Sequence, residues 1–162
     1  MIVDFEQLPE IRETHKDDKI VFRGGCYDIV HEGHIQGLAF AKKLGTLLVV
    51  GVRPDKRVTE RKGPTRPIRG QDARLTVVDA IRYVDYSFLM PDGNDEIGAA
   101  SLRVVDALRP DIFVGTGTHV GSHPNDEAVQ RMGAEIILDP NLPPNSTTKI
   151  IERIMALHMD RS

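Results

Sequence analysis

The sequence predicts an α/β domain built on an open, five-stranded parallel sheet with helices on both faces. Short apolar runs alternate with segments of helical periodicity along the 162 residues, which is the pattern of right-handed strand–helix–strand crossovers. Residues 46–52 form a continuous apolar run, as expected of a strand buried on both faces of a parallel sheet. The chain shows no internal repeat or break in composition, so residues 1–162 are predicted to form one domain.

The individual elements follow from the same patterns. The predicted strands are residues 20–23, 46–52, 84–89, 111–114 and 134–138. The predicted helices are residues 5–16, 33–44, 71–83, 95–108, 126–132 and 146–157. The first helix is amphipathic and belongs to a leader of residues 1–18. Gly45 and Gly133 are expected to end the helices that they follow.

The connection between the second strand and the third helix, residues 53–70, is unusually long. It is rich in Lys and Arg, is interrupted by prolines and glycines, and shows no sustained periodicity. Long connections without regular structure inside small domains are usually lids or binding loops. We therefore predict a basic functional loop here.

Composition and charge exclude several classes of protein. The formal net charge of −3 provides no basic field, so nucleic acid is not an expected partner. Cys26 is the single cysteine, so no internal disulfide can form and a reducing cytoplasm is the simplest location. The N-terminus does not resemble a signal peptide, and no apolar run approaches the ~20 residues of a membrane span. The sequence predicts a cytoplasmic protein without a membrane partner.

The turn at residues 24–34 carries the strongest functional signal. It reads Gly24-Gly25-Cys26-Tyr27-Asp28-Ile29-Val30-His31-Glu32-Gly33-His34, between the first strand and the first long helix. Backbone N–H groups at a helix start lack partners and form an anion site, and glycines allow a ligand to approach the main chain. Two histidines three residues apart add donors on one side. This arrangement suits a polyphosphate, although the histidines could instead be packed or solvated without a role.

The run from Gly25 to His34 resembles the opening motif of the His-x-Gly-His nucleotidyltransferases. The branch it resembles most contains glycerol-3-phosphate cytidylyltransferase and the adenylyltransferase domain of ADP-heptose synthesis. The resemblance implies a Rossmann-like sheet with the strand order 3-2-1-4-5. That order places the turn where the winding of the sheet reverses, which is where ligands bind in open α/β sheets.

The resemblance also implies the reaction. ATP or CTP reacts with a phosphorylated small molecule, such as a sugar or polyol phosphate, and releases pyrophosphate. Mg²⁺ is expected with the triphosphate, because it binds mainly through substrate phosphates, and members of the family are often homodimers. The alternatives are an alcohol-phosphate cytidylyltransferase, an FMN adenylyltransferase and a non-catalytic nucleotide-binding regulator on the same fold.

Four side chains are the candidate catalytic residues, and all are cationic or N–H donors. The resemblance assigns this role to His31, His34, Lys62 and Arg82. Lys62 opens a Lys-Gly-Pro-x-Arg-Pro-Ile stretch of the heptose branch, and Arg82 opens the Arg-Tyr-Val-Asp element of the cytidylyltransferases, from which it would reach the phosphates. A solvated basic loop and a surface salt bridge are the alternatives for these two residues.

A second set is expected to bind the nucleotide, partly through backbone groups: Gly25, Cys26, Tyr27, Asp28, Gly33, Ser146, Thr147 and Thr148. Asp28 is expected to fix the turn as an acceptor rather than to act as an acid. A cysteine nucleophile at Cys26 is the alternative, but no residue near it in the sequence is arranged to activate its thiol. The Ser-Thr-Thr run resembles the family's closing motif, where the last helix begins and forms a second anion site.

The loop at residues 115–121 departs from the family pattern, in which an acidic residue and an aromatic residue follow the fourth strand. Here the corresponding positions hold Thr116, Thr118 and His119. Together with Arg66, they are the candidate acceptor contacts, and the identity of the acceptor stays open. His119 and His123 have a possible metal spacing but no third ligand, so no metal site is predicted.

Overall fold

Five parallel strands form the centre of the molecule, in a computed structural model that describes residues 1–92, 98–115, 120–121, 125–140 and 146–159. They are β1 (Ile20–Gly25), β2 (Leu47–Val52), β3 (Tyr86–Leu89), β4 (Ile112–Gly115) and β5 (Glu135–Leu138). Their order in the sheet is β3-β2-β1-β4-β5. This confirms the predicted Rossmann-like fold class and the strand order 3-2-1-4-5.

The helices lie close to the predicted positions. A 3-10 turn, Phe5–Gln7, precedes α1 (Leu8–Thr14), α2 (Glu32–Lys42), α3 (Asp55–Lys62), α4 (Gln71–Asp79), α5 (Ala99–Leu108), α6 (Asp126–Arg131) and α7 (Thr147–Met159). No helix within the described residues is long and apolar enough to cross a bilayer.

The sheet is covered on both faces, and β2 contributes to both layers of the core. Leu47 and Val49 pack in one cluster with residues of α1 and α5. Leu48 and Val50 pack in the other cluster with residues of α2 and α4. All residues of β2 are buried, which explains why this strand is apolar without alternation.

The prediction of an irregular loop over residues 53–70 was wrong in part, because the segment contains α3. In this helix Val58 is the buried residue, so the sequence carries no apolar repeat that would reveal it. Asp55 in the first turn and Lys62 in the last suit the helix dipole. Gly63, with φ of +94°, follows the helix and allows the chain to leave it in a left-handed conformation.

The two glycines predicted to end helices have different roles. Gly133 follows α6 with φ of +95°, as predicted. The C-cap of α2, however, is Lys43, and Gly45 is required for a different reason. A Cβ at position 45 would lie 2.3 Å from the carbonyl oxygen of Lys19, so only glycine allows the chain to pass there.

Candidate active site

The two motif histidines hold each other in place at the start of α2. His31 is the N-cap residue, and its Nδ1 accepts the N–H of Gly33 at 3.1 Å. Nδ1 of His34 accepts the N–H of His31 at 3.3 Å, and the ring centroids are 4.0 Å apart. Because each Nδ1 is an acceptor, the hydrogen-bond pattern assigns the proton of each neutral ring to Nε2. Two N–H donors on one side of the turn are therefore available to an anion.

His34 is kept neutral by its surroundings. Burial, the neighbouring His31, and the charges of Arg23 and Lys62 together lower the pKa of His34 to about 4. At neutral pH the ring is thus a neutral Nε2–H donor rather than a cation. Lys62 is the last residue of α3, the helix that the sequence did not predict, and its charge is among those that act on His34.

The buried side chain of Tyr27 packs against the histidine turn. Its side chain is 2% exposed, its ring centroid lies 5.3 Å from that of His34, and its φ is +53°. A Cβ on Gly25 would lie 2.6 Å from the Tyr27 ring. Gly25 is therefore needed to accommodate the tyrosine, in addition to any contact that its backbone makes with a nucleotide. Cys26 is half-buried and has a free thiol.

Asp28 fixes the turn to the segment after α3. Its carboxylate accepts hydrogen bonds from Nε of Arg66 at 2.7 Å and from the N–H groups of Ile68 and Arg69 at 2.8 and 2.9 Å. Burial pushes the pKa of Asp28 upward, but these hydrogen bonds lower it below its usual value. The expectation that Asp28 fixes the turn is confirmed. With 2% exposure, its carboxylate is not placed to contact a nucleotide.

The placement of Arg66 corrects its expected contact with the acceptor. Arg66 is 9% exposed and forms an ion pair with Asp28 through Nη2 at 2.7 Å. A buried guanidinium held by a buried carboxylate is committed to holding the loop, so Arg66 anchors the segment that follows Lys62.

Arg74 was not recognised from the sequence as a central residue. It is fully buried, and its guanidinium donates to the carbonyl oxygens of Cys26, Arg53 and Arg69 and to the carboxylate of Asp55. It thereby ties together the loops that follow β1, β2 and α3. We call the contacts of Asp28, Arg66 and Arg74 the loop network.

The start of α7 adjoins the histidine turn. Oγ1 of Thr147 donates to the carbonyl oxygen of Ile29 at 3.4 Å, and Thr147 is buried. Oγ of Ser146 accepts the N–H of Lys149 at 3.3 Å and so caps the helix, while Thr148 is exposed. The structure therefore brings the two predicted anion sites together.

Arg82 lies away from these residues. It precedes β3, at the end of the sheet where strands begin, because Tyr86 is paired with Val49 and Asp85 accepts the N–H of Leu48. The guanidinium of Arg82 is 2.6 Å from the hydroxyl of Tyr83. The histidine turn is at the opposite end, where β1 ends. This placement contradicts the expectation that Arg82 reaches the phosphates from its helix.

Several predicted residues lie outside the described residues, namely Thr116, Thr118, His119 and His123. Within the part of the chain that is described, no group of three His, Cys, Asp or Glu side chains could hold a metal ion.

A cavity of about 570 Å³ opens beside the turn, at the carboxyl ends of the strands. Arg53, Arg57 and Arg61 line it, together with Met90 and Phe113. We call it the arginine cavity. Sequence reasoning missed these arginines, although Arg53 directly follows a buried strand, a position where ligand contacts are common in parallel sheets.

Known proteins share both the sequence and the fold of this chain. A family model described as cytidylyltransferase-like matches residues 22–153. The bifunctional protein HldE of Campylobacter concisus is 35% identical over 153 residues, covering 92% of this chain and 30% of that protein. HldE of Trichlorobacter lovleyi is 33% identical over 158 residues, covering 96% and 31%. The chain thus spans about a third of the length of these relatives.

A solved structure is also similar to this chain in sequence and fold. The lipopolysaccharide core biosynthesis protein from Thermoplasma volcanium superposes with a TM-score of 0.63 at 27% identity, covering 78% of this chain and 99% of that one. The family match and the HldE relatives confirm the nucleotidyltransferase class that the His-x-Gly-His motif predicts. The chain belongs to the cytidylyltransferase-like family.

Proposed function

We propose that this chain transfers the adenylyl group of ATP to the phosphate of a sugar or polyol phosphate and releases pyrophosphate. We propose further that residues 1–162 act as one nucleotidyltransferase domain, and that the reaction takes place in the cytoplasm, where ATP is available. The observation that carries the proposal is that the start of α7 adjoins the turn of the histidine pair, where the charge of Lys62 also acts on His34. These groups are all donors or cations, as a triphosphate requires.

The chemistry needs no nucleophile from the protein. An oxygen of the acceptor phosphate forms a bond to the α-phosphorus while the bond from that phosphorus to the bridging oxygen of pyrophosphate breaks. The electron pair of the broken bond leaves with pyrophosphate. Since the second pKa of a phosphomonoester is near ~6, the acceptor is already anionic at neutral pH, and no general base is required.

What the protein supplies is alignment of two anions and stabilisation of charge on the leaving group. The Nε2–H groups of His31 and His34 are fixed in direction by the hydrogen bonds at Nδ1, so they bind phosphate oxygens without first reorienting. Lys62 adds a positive charge, and the start of α7 adjoins the same turn through the contact of Thr147 with Ile29. The neutral state of His34 suits a hydrogen-bond donor rather than a proton donor.

Mg²⁺ is proposed as part of the MgATP substrate. Asp28 is the carboxylate of the motif, and its oxygens are taken by Arg66 and two backbone N–H groups. The donors around the turn otherwise suit phosphate rather than a cation. Phosphate oxygens would therefore hold the ion, as is usual for Mg²⁺ in nucleotide sites, where it neutralises charge on the triphosphate.

Two features support ATP rather than CTP as the donor. The stretch from Lys62 to Ile68 resembles that of the heptose branch, and the curated relatives are HldE proteins. The Arg-Tyr-Val-Asp element, which resembles the CTP-dependent branch, lies at the opposite end of the sheet and does not contact the proposed site.

The experiment is a pyrophosphate-release assay of the full chain with ATP or CTP and a panel of phosphorylated acceptors. The panel contains hexose and heptose 1-phosphates, glycerol 3-phosphate and FMN. We expect release with ATP and a sugar 1-phosphate, and no release when the acceptor phosphate is omitted. Release with CTP and glycerol 3-phosphate, or with ATP and FMN, would replace the proposed substrates, and release with no pair would contradict an enzymatic role.

A further inference from the structure

Arg53 lines the arginine cavity and has no structural partner in the part of the chain that the structure describes. Its guanidinium is half-buried and has no hydrogen bond or ion pair with any residue in the described ranges, whereas its own carbonyl oxygen is held by Arg74. Burying a cation without a partner is costly. Such a group is expected to bind an anion that is absent from the protein itself.

The positive charges near Arg53 make the binding of an anion more favourable. Burial lowers the pKa of Arg53, and the charges of Arg61 and Arg57 lower it further. Arginine stays protonated in proteins, so the three like charges remain and repel one another. Arg57 is 2.8 Å from Glu60. Glu60 and Asp126 also line the cavity, but among the described residues no carboxylate forms an ion pair with Arg53. An anionic ligand would relieve the repulsion.

The location of Arg53 links the arginine cavity to the histidine turn. Its N–H donates to the carbonyl oxygen of Gly25 at 2.9 Å, and Arg74 binds the carbonyl oxygens of both Cys26 and Arg53. An anion held by Arg53 would therefore lie next to the turn that is proposed to bind the triphosphate.

The cavity is also on the correct side for the reaction. Met90, which lines it, packs in the core layer of α1 and α5, whereas α2, which begins with the histidine turn, packs in the opposite layer. The Met90 wall of the cavity therefore lies on the other face of the sheet from α2, although Val114 of the α2 layer also lines the cavity. In-line displacement requires an attacking group that lies opposite the leaving pyrophosphate.

From this geometry we infer that the arginine cavity binds the phosphorylated acceptor, with Arg53 holding its phosphate and Met90 and Phe113 contacting its carbon skeleton. This inference rests on the proposed function. It defines the acceptor as a phosphomonoester of a compact polar molecule, because a cavity of about 570 Å³ accommodates a small ligand. A neutral analogue without the phosphate would leave Arg53 unpaired.

The binding test uses the full chain and two probes, α,β-methylene-ATP and inorganic phosphate. The analogue occupies the triphosphate site and cannot transfer its nucleotidyl group, so phosphate added afterwards reports the remaining anion site by calorimetry. We expect the wild type to bind phosphate and Arg53→Met to bind it at least about tenfold more weakly, with analogue affinity unchanged. Lys56→Met is the matched control, because Lys56 is a nearby cation that is exposed in the first turn of α3, and it is expected to behave as wild type.

Three results would overturn the inference. They are wild-type protein that binds no phosphate beside the analogue, an Arg53→Met variant with wild-type phosphate affinity, and an equal loss of affinity for both probes. Arg53→Lys keeps the charge without the planar fork, and we expect it to recover part of the phosphate affinity.

Kinetics separate this inference from the proposed function. With the best acceptor of the panel, Arg53→Met should raise the KM for the acceptor at least about tenfold and leave the KM for ATP unchanged. If pyrophosphate is released but the acceptor KM does not change, the function stands and the role of Arg53 fails. If no acceptor supports release but phosphate binding depends on Arg53, the anion site stands and the proposed function fails.

Discussion

The loop network and the arginine cavity are adjacent and both rich in arginine, yet they are opposite in character. Arg74 is fully buried and donates to four acceptors within the protein. Arg53, whose carbonyl oxygen accepts a hydrogen bond from Arg74, has no side-chain partner in the described part of the chain. A buried charge that the protein satisfies is part of the architecture, whereas a charge that it leaves unsatisfied indicates a missing ligand. The comparison predicts that changes in the two regions will affect different properties.

The largest expected effect is on stability, from Arg74→Met. The substitution leaves the carbonyl oxygens of Cys26, Arg53 and Arg69 and the carboxylate of Asp55 without their donor. We expect the free energy of unfolding to fall by roughly 3–5 kcal/mol, measured by urea denaturation followed by far-UV circular dichroism. Arg69→Met is the control, because its exposed side chain takes no part in the network, and it should remain near wild type. A loss below about 1 kcal/mol for Arg74→Met would show that the network does not hold the loops.

The next effect is on turnover, from His34→Ala. Removing one fixed N–H donor from a phosphate site should lower kcat by about 10²–10³-fold, while the circular dichroism spectrum stays unchanged. The measurement is pyrophosphate release at saturating substrates. Unchanged turnover would refute the assignment of His34, and a collapsed spectrum would show that the ring is structural, like Arg74.

A smaller effect is expected from pH, through the depressed pKa of His34. The folded protein keeps this ring neutral down to pH about 4, whereas the unfolded chain protonates it near its usual pKa of ~6.5. The unfolded state therefore binds more protons between these values, and stability falls as the pH falls from about 6.5 to 4.

The size of this effect is limited by the partial exposure of the ring, and we expect less than about 3 kcal/mol. The comparison is urea denaturation of wild type and His34→Gln across that range, since the variant lacks the titrating group. If the free energy of unfolding changed equally with pH in the two proteins, the buried, neutral state of His34 would be contradicted.

The smallest expected effect is from Arg82→Ala. Arg82 is exposed and contacts its neighbour Tyr83 at the end of the sheet away from the histidine turn. We expect kcat and both KM values to stay within about twofold of wild type in the pyrophosphate assay. A tenfold loss would show instead that Arg82 reaches the site of a second copy of the chain.

The sheet and the histidine turn could be predicted from the sequence because their signals are local. The apolar run of β2 identifies a buried strand, and the spacing of His31, Gly33 and His34 places donors at a helix start. α3 could not be predicted in this way, because Val58 is the residue that it buries and one apolar residue gives no period.

The roles of the arginines depend on burial, which the sequence does not encode locally. Arg66, Arg74 and Arg82 all lie in or near motifs that resemble nucleotidyltransferase elements. The fold buries the first two as anchors and leaves the third exposed at the far end of the sheet. Arg53 lies in no recognised motif, and the fold leaves its half-buried side chain without a partner in the described ranges.

The most direct test of the account is the protonation and ligand response of the histidine rings, observed by ¹⁵N–¹H NMR of the imidazoles at pH 7. We expect His31 and His34 to carry their protons on Nε2, and α,β-methylene-ATP to shift both Nε2 resonances. His15, which contacts Asp18 and Tyr86, serves as the internal reference and should not shift. Protons on Nδ1, or Nε2 resonances that do not respond to the nucleotide, would contradict the claim that this turn binds the triphosphate.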